Sequence, residues 1–321
     1  MELTGIHHLT AISGSIRNNH RFYTQVVGMR LVKRSVNQDD VKAYHLFYAD
    51  AAGSPGTDLT FFDWKMPAER RGTHSITETA LRVGGEATLA YWKNRFTELG
   101  VKHGEIHTRD DRAALTFEDP EGQRLALIDD GGVHNESKPH VASPVPIEHQ
   151  VHGLGPITMS VPELQHTHVV LTEVMMLRPV REYTREVGAA VTKAHQVHVY
   201  EMGAGGPNAE LHVAVQPELA QSGSGAGGVH HVAFRTPNEA EYHAWAARLT
   251  EFGMPNSGEV DRYWFRSLYF REPNGILFEI ATDGPGFSVD ESADALGEKV
   301  VLPPFLEGRR DAIVGALQPL D

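Results

Sequence analysis

Two pairs of adjacent histidines stand in matching settings near the two ends of the chain: "GIHHLTA" at residues 5–11 and "GVHHVAF" at 228–234. A residue of a different kind, Glu279, sits in "GILFEIAT", inside an otherwise apolar, strand-like run. An unpaired carboxylate is costly to bury there, so something must compensate it. Two imidazoles and one carboxylate carried on three strands can hold a divalent metal by one face and leave the remaining positions open. Open positions suit non-haem Fe(II), which takes substrate and dioxygen there. Mn(II) fits nearly as well, whereas Zn(II) prefers four ligands with one open site. The residues favour a divalent metal more strongly than they favour iron.

Strand parity decides which side chains can meet. In "HHVAF", His230, Val232 and Phe234 fall on one face, and His231 and Ala233 on the other. In "GILFEIA", Ile276, Phe278 and Ile280 share a face and leave Glu279 opposite. His8 shares a face with Thr10. Parity does not choose between His7 and His8, but the match with His231 selects His8. A single His-His pair at a strand start is commonly a packing feature; a repeated pair joined by a buried glutamate outweighs that reading. His7 and His230 are equally compatible with supporting the site and with packing. His149, His195 and His212 read as structural or exposed.

The elements that would position these groups repeat four times. Each segment has a strand-like start, a helical stretch ending near glycine, then several strands. They run from about Gly5 to Trp64, Gly72 to Asp130, Gly153 to Gln216 and Gly228 to Asp283. The predicted helices are "SIRNNHRFYTQVVGM", "EATLAYWKNRFTELG" and "NEAEYHAWAARLTEFG", and the third segment is the most divergent. Segments two and four close alike, in "ALTFEDPEGQRLALIDD" and "SLYFREPNGILFEIATD", where Pro-x-Gly joins two strands of a hairpin. Aligning the starts puts Ser75, Pro156 and His231 at the position of His8. At the position of Glu279 stand Ala126 in the second segment and Thr60 in the first. A position that accepts alanine does not need a carboxylate for folding. The expected fold is α+β, with four βαβββ modules paired into two pseudo-symmetric open-barrel domains. Residues 1–131 would hold the N-terminal pair and 132–151 a linker. Residues 152–283 would hold the C-terminal pair, and 284–321 an extension that wraps the body or is partly mobile.

With 321 residues, 40% hydrophobic and 22% charged, the composition is that of a soluble globular protein of about two domains. No apolar run approaches the roughly 18–20 residues of a membrane span, and "MELTGIHHLT" lacks a signal-peptide pattern. The absence of cysteine excludes disulfides, thiolate nucleophiles and zinc–thiolate sites. A cytoplasmic enzyme is expected, and a homo-oligomer is compatible with base rates. A formal charge of −13 disfavours phosphate backbones and so a nucleic-acid role, but it is no obstacle to a neutral phenol or quinol.

At these residues the sequence resembles the vicinal oxygen chelate superfamily of glyoxalases and extradiol dioxygenases. Within it, the chain is most similar to the ring-cleaving dioxygenases that open hydroquinones, including chlorinated ones. The resemblance covers about residues 4–283, and "VKRSVNQDD", "YHLFYADAAGSPGT" and "SPVPIEHQ" add to it. It implies a metal held between the first and fourth modules, with His8, His231 and Glu279 as ligands. The catechol-cleaving branch takes its first histidine from the third module, where this chain has Pro156. A four-ligand glyoxalase I site needs a second carboxylate, which Thr60 does not supply. The resemblance also places His7, Thr10, His230, Arg262 and Tyr269 along the active site. Arg262 would stabilise phenolate or oxygen-borne charge, and Tyr269 and His230 would hydrogen-bond oxygen species or move protons. The implied activity is Fe(II)-dependent ring cleavage of a small aromatic substrate with O2. Zn(II) or Ni(II) is what affinity order could leave in a purified sample. The alternatives are a metal-dependent lyase, isomerase or glutathione-transfer enzyme, and a non-catalytic protein that binds aromatic ligands.

Overall fold

A computed structural model describes residues 1–132, 137–186 and 193–320. The first module comprises β1 (Ile6–Ser13), α1 (Ile16–Arg21), β2 (Arg30–Val36), β3 (Tyr44–Ala49) and β4 (Asp58–Asp63). The second comprises β5 (Ser75–Val83), α2 (Gly85–Leu99), β6 (His107–Arg109), β7 (Arg112–Glu118) and β8 (Arg124–Asp129). The third comprises β9 (Leu154–Val161), α3 (Gln165–Val169), β10 (Arg178–Arg185), β11 (His195–Glu201) and β12 (Glu210–Val215). The fourth comprises β13 (Val229–Thr236), α4 (Glu239–Glu251), β14 (Val260–Asp261), β15 (Arg266–Arg271) and β16 (Leu277–Thr282). The α+β class and the paired βαβββ modules are as expected. Among the described residues, no helix is long and apolar enough to cross a membrane.

The modules pair outer with outer and inner with inner. One eight-stranded sheet has the order β14-β15-β16-β13-β1-β4-β3-β2, and the other β10-β11-β12-β9-β5-β8-β7-β6. Each sequence half, 1–131 and 152–283, therefore gives one module to each sheet, rather than forming a sheet of its own. The joins are antiparallel, β1 with β13 and β5 with β9. Leu9 and Val232 meet across the first join and are fully buried. The linker does not hang free. Lys138 N–H donates to Asp50 Oδ2, Ser143 Oγ–H donates to Gly28 O, and Val145 is buried against the first module. Residues 133–136 of the linker lie outside the described residues.

Local chemistry explains the elements. In α2, Leu89, Trp92 and Phe96 recur at one helical face and are buried, as are Tyr242, Trp245 and Leu249 in α4. Asn238 caps α4 by accepting from Glu241 N–H. In the first and third modules the helix is short and continues as a wider π turn, Phe22–Val26 and Val170–Val174. The extra residue in that turn lets adjacent Phe22 and Tyr23 both face the core. The two Pro-x-Gly hairpins share a design. Asp119 Oδ1 accepts from the backbone N–H groups of Glu121 and Gln123, and Glu272 Oε1 from those of Asn274 and Ile276. The turn glycines, Gly122 and Gly275, adopt positive φ.

Residues 284–320 wrap across β2. Ser35 Oγ–H donates to Val301 O, and Val36 packs with Leu302, Leu306 and Ile313. Fully buried Lys33 donates from Nζ to Asp290 and Glu291. Asp290 also accepts from Trp264 Nε1–H at 2.9 Å. The extension thus braces the residues that precede β15.

The chain enters β13 through Gly227, at φ 81°, where an added Cβ would lie 2.2 Å from Glu121 O. Gly227→Ala is expected to destabilise the fold by roughly 2 kcal/mol or more. An unchanged urea midpoint would contradict the close approach.

Candidate active site

His8 on β1, His231 on β13 and Glu279 on β16 occupy three neighbouring strands at the middle of the first sheet. Register brings them together: Ala233 faces Glu279 across the β13–β16 pair, and Thr10 faces His231 across β1–β13. His8 Nε2 lies 3.3 Å from His231 Nε2 and 3.3 Å from Glu279 Oε2, and His231 Nε2 lies 2.9 Å from Glu279 Oε2. Adjacent ligand atoms on a metal with bonds of about 2.1 Å at right angles are separated by about 3.0 Å. The triangle fits the face of such a coordination sphere. All three residues are buried.

Charge supports the same reading. Burial alone would raise the Glu279 carboxyl, but the imidazoles of His8 and His231 hold it well below the usual carboxylate range. Burial lowers the His231 imidazole, with Glu279 opposing the shift. A metal site requires an ionised carboxylate, and Glu279 is held in that form. Although His231 approaches closely, Glu279 Oε2 has no partner with hydrogen-bond geometry. Its other oxygen, Oε1, accepts from buried Ser267 Oγ–H at 2.5 Å. A fully buried anion with one oxygen satisfied and the other aimed at two imidazoles fits a divalent cation.

The first histidine of each pair has a backbone explanation. Along β1, Ile6 faces Phe234 but His8 faces Ala233, so His7 is an extra residue. Along β13, His231 faces Thr10 but Val229 faces Ala11, so His230 is extra. These two bulges re-aim the extra side chains. His230 therefore does not follow Val232 and Phe234 into the helix-facing core, as simple alternation predicts. Its ring packs against His231, Phe62 and Trp64. His7 Nδ1 lies 2.9 Å from His8 Nδ1, and His230 Nδ1 lies 2.7 Å from His231 Nδ1. If Nε2 of each inner histidine is to bind a metal, its Nδ1 carries the proton and donates to the outer histidine. The outer rings suit acceptance: burial, then the neighbouring histidine, lowers each to about 3, so both stay neutral. Each pair supplies a metal donor and the acceptor that sets its tautomer.

A small cavity of about 40 Å³ opens beside the triad, lined by His8, His231, His45, Phe62, Phe265 and Tyr269, with Arg262 at its edge. Arg262 Nε–H donates to Tyr269 Oη at 3.4 Å, and Nη2–H to Asp39 Oδ2 at 2.8 Å. Gln38 Nε2–H donates to Arg262 O. Burial, reinforced by Glu279, keeps the Tyr269 phenol protonated at neutral pH. Thr10 is not on the cavity wall; its Oγ1 lies 2.7 Å from Thr60 Oγ1, which in turn lies 2.9 Å from His45 Nε2. His45 and Ser267 escaped the sequence reading. Burial, then His8, holds the His45 imidazole well below its ordinary value. Its signal lay in "YHLFYA", where it alternates with buried Tyr44 and Leu46.

Larger hollows lie elsewhere, one of about 290 Å³ on the second sheet and an open groove of about 890 Å³ beneath the C-terminal wrap. Neither touches the triad. A second cluster, Asp110, Glu210 and His212, also brings three donor atoms together. Arg112 grips Glu210 with two bonds of 2.7 Å, and Arg181 reaches both Asp110 and Glu210. Two guanidiniums already supply the positive charge there. The registers also correct one alignment. Ala80 faces Ala126 as Ala233 faces Glu279, so Glu78, not Ser75, stands where His231 does.

Comparison with known proteins agrees with this architecture. Residues 5–127 and 153–280 match the model of the Glyoxalase/Bleomycin resistance protein/Dioxygenase superfamily. The chain is 44% identical over 322 residues to a Bacillus subtilis protein named "Putative ring-cleaving dioxygenase MhqA", covering 100% of each. It is 28% identical over 323 residues to the "Chlorohydroquinone/hydroquinone 1,2-dioxygenase" of Sphingobium indicum, covering 97% of this chain and 94% of the relative. A crystal structure of a "putative dioxygenase from Bacillus subtilis subsp. subtilis str. 168" superposes with a TM-score of 0.86 at 31% identity, covering 100% of this chain and 98% of the other.

Two measurements test the site's construction. Ser267→Ala and His230→Leu should each weaken divalent-metal affinity by roughly 10–100-fold while the fold is retained; unchanged affinity would deny them a supporting role. In the metal-free chain, His7 and His230 titrate at about 3, against 6.5 when unfolded. The unfolded state therefore binds more protons between those values, so stability falls as pH drops from 6.5 towards 3. The denaturation midpoint of His230→Leu should depend less steeply on pH in that window. An identical slope would show that His230 is not held neutral.

Proposed function

The chain belongs to the Glyoxalase/Bleomycin resistance protein/Dioxygenase superfamily, and from that premise we propose that it is a metal-dependent ring-cleaving dioxygenase. Its substrate would be a hydroquinone or related single-ring phenol, with O2 as co-substrate. The observation that carries this reading is a buried two-histidine, one-glutamate face beside an aromatic-walled cavity that Arg262 and Tyr269 also line. His8, His231 and Glu279 would hold the metal. Fe(II) best matches three protein donors with positions left for substrate and O2. Mn(II) is the nearest substitute, and Zn(II) or Ni(II) could be retained on purification. When bound, Fe(II) supplies the redox chemistry that lets O2 react with a phenol.

The chain's own groups divide the remaining work. Phe47, Phe62, Trp264 and Phe265 form apolar walls that stack on a ring and exclude water. His45 uses Nε2 on Thr60 Oγ1, which leaves Nδ1 to accept a hydrogen bond from a substrate hydroxyl as it ionises. Arg262 faces the phenolate so produced, and Tyr269 donates a hydrogen bond to an oxygen on the substrate. Both atoms of O2 enter the product. The bond between a hydroxyl-bearing ring carbon and its neighbour breaks, one carbon ending as a carboxylic acid and the other as an aldehyde. The cavity holds only a water or two, so admitting a ring requires its walls to move apart. Asp39 and Gln38 grip Arg262 from the end of β2.

Thr60 argues against the four-ligand isomerase reading. It stands at the repeat position of Glu279 and is engaged with Thr10 and His45. A protein that only sequesters aromatics has no need of a buried carboxylate shared by two imidazoles.

The test is oxygen consumption by anaerobically Fe(II)-loaded protein with a panel of hydroquinones and catechols. Uptake matched by loss of ring absorbance is expected, and it should fall at least 10³-fold in His231→Ala and Glu279→Ala. Stoichiometric iron without uptake would contradict the dioxygenase reading.

A further inference from the structure

The second sheet repeats the mouth that holds the triad, and strand register says which residue replaces which. Thr158 faces His212 as Thr10 faces Thr60, and Ala80 faces Ala126 as Ala233 faces Glu279. Pro156, Glu78 and Ala126 therefore stand at the positions of His8, His231 and Glu279, so the donor set is gone. The walls change as well. Ala214 faces Val197 as Phe62 faces His45, and Thr116 faces Ala126 as Tyr269 faces Glu279. Where the first mouth has bulky Phe62 and Tyr269, the second has alanine and threonine. The cavity accordingly grows from about 40 Å³ to about 290 Å³. That approaches the lower end of small-ligand sites.

Its charge also differs from that of the chain. Arg109 and Arg185 both pair with buried Glu78, at 2.5 and 2.7 Å. Arg71 and Lys102 share Glu118, each at 2.8 Å, and Arg124 pairs with Glu69 at 3.1 Å. Around the cavity itself, four cationic side chains, Arg71, Lys102, Arg124 and Arg185, stand with two carboxylates, Glu78 and Glu118, a local surplus of positive charge in a chain of formal charge −13. The Arg71 and Lys102 side chains reach solvent, whereas Arg185 is mostly buried. Between them lie apolar surfaces of Leu125, Ala214 and Leu219.

We infer that this mouth is a second ligand site, without metal, that takes a small organic carboxylate. The guanidinium and ammonium groups would pair with the carboxylate, and the apolar surface would cover a short hydrocarbon body. Ring opening as proposed above converts a neutral phenol into an unsaturated acid, so the reaction's product falls in this class. Only that choice of physiological ligand rests on the proposed activity; the site itself does not.

Calorimetric titration of the Fe(II)-loaded full chain with trans,trans-muconate, a six-carbon unsaturated dicarboxylate, tests the inference. One muconate per chain should bind the native protein and Glu279→Ala alike, which separates this site from the metal centre. Arg185→Gln should weaken binding at least tenfold. Ala214→Phe, which restores the aromatic of the first mouth, should abolish it. Should Ala214→Phe fail to fold, Arg185→Gln and Lys102→Gln carry the test. The dimethyl ester of muconate and inorganic phosphate should both bind at least tenfold more weakly. Four results would overturn the proposal: no binding up to about 10 mM, loss of binding in Glu279→Ala, full affinity in the folded mouth variants, or equal affinity for phosphate.

Discussion

The antiparallel pairing of β1 with β13 is the contact on which the site depends. It joins segments separated by more than two hundred residues and sets His8 and His231 on adjoining strands. The pairing is held by backbone hydrogen bonds and by the burial of Leu9 against Val232, neither of which requires a histidine. Its two bulges give each strand one additional side chain on the site side. Without them, simple alternation would turn His7 and His230 away from the inner histidines. The fold thus provides a frame on which a metal donor and its tautomer-setting neighbour can be adjacent in sequence.

Glu279 is the costly member of that frame. Its carboxylate is fully buried on a central strand, and Ser267 satisfies one oxygen while the other points at the two imidazoles. A cation between them would resolve the imbalance, and the triangle of donor atoms has the dimensions to receive one. The second sheet shows what the same frame does without that demand. There Glu78 occupies the position of His231, and two arginines neutralise it directly. His212, buried at the position of Thr60, is taken up by Glu210 and Tyr183. One mouth is narrow, aromatic and built around a potential metal face; the other is wide, basic and ion-paired.

Much of this was legible in the sequence because the repeats carry redundant marks. The Pro-x-Gly hairpins fixed the register of segments two and four, and the apolar faces of α2 and α4 are plain helical patterns. Alternation placed Glu279 opposite Phe278, and the matched His-His pairs singled out His8 and His231, which the structure brings within 3.3 Å. Other features left no such mark. A bulge shifts the backbone by one residue without disturbing the apolar pattern, so alternation grouped His230 with Val232 and Phe234, from which the bulge separates it. The second segment has lost its histidines, and the alignment settled on Ser75 rather than Glu78. Pairing of the outer modules with each other is a choice among similar sheet edges that local pattern does not make. His45 and Ser267 became visible only with their partners, Thr60 and Glu279.

The most direct test of the central claim is the stoichiometry and ligand environment of bound metal. Anaerobic Co(II) titration followed by absorption and by X-ray absorption fine structure reads both at once. One metal per chain, with two imidazoles in its coordination shell and both signals lost in Glu279→Ala, is the predicted result. No saturable binding, or one metal per chain that survives loss of both His231 and Glu279, would contradict it.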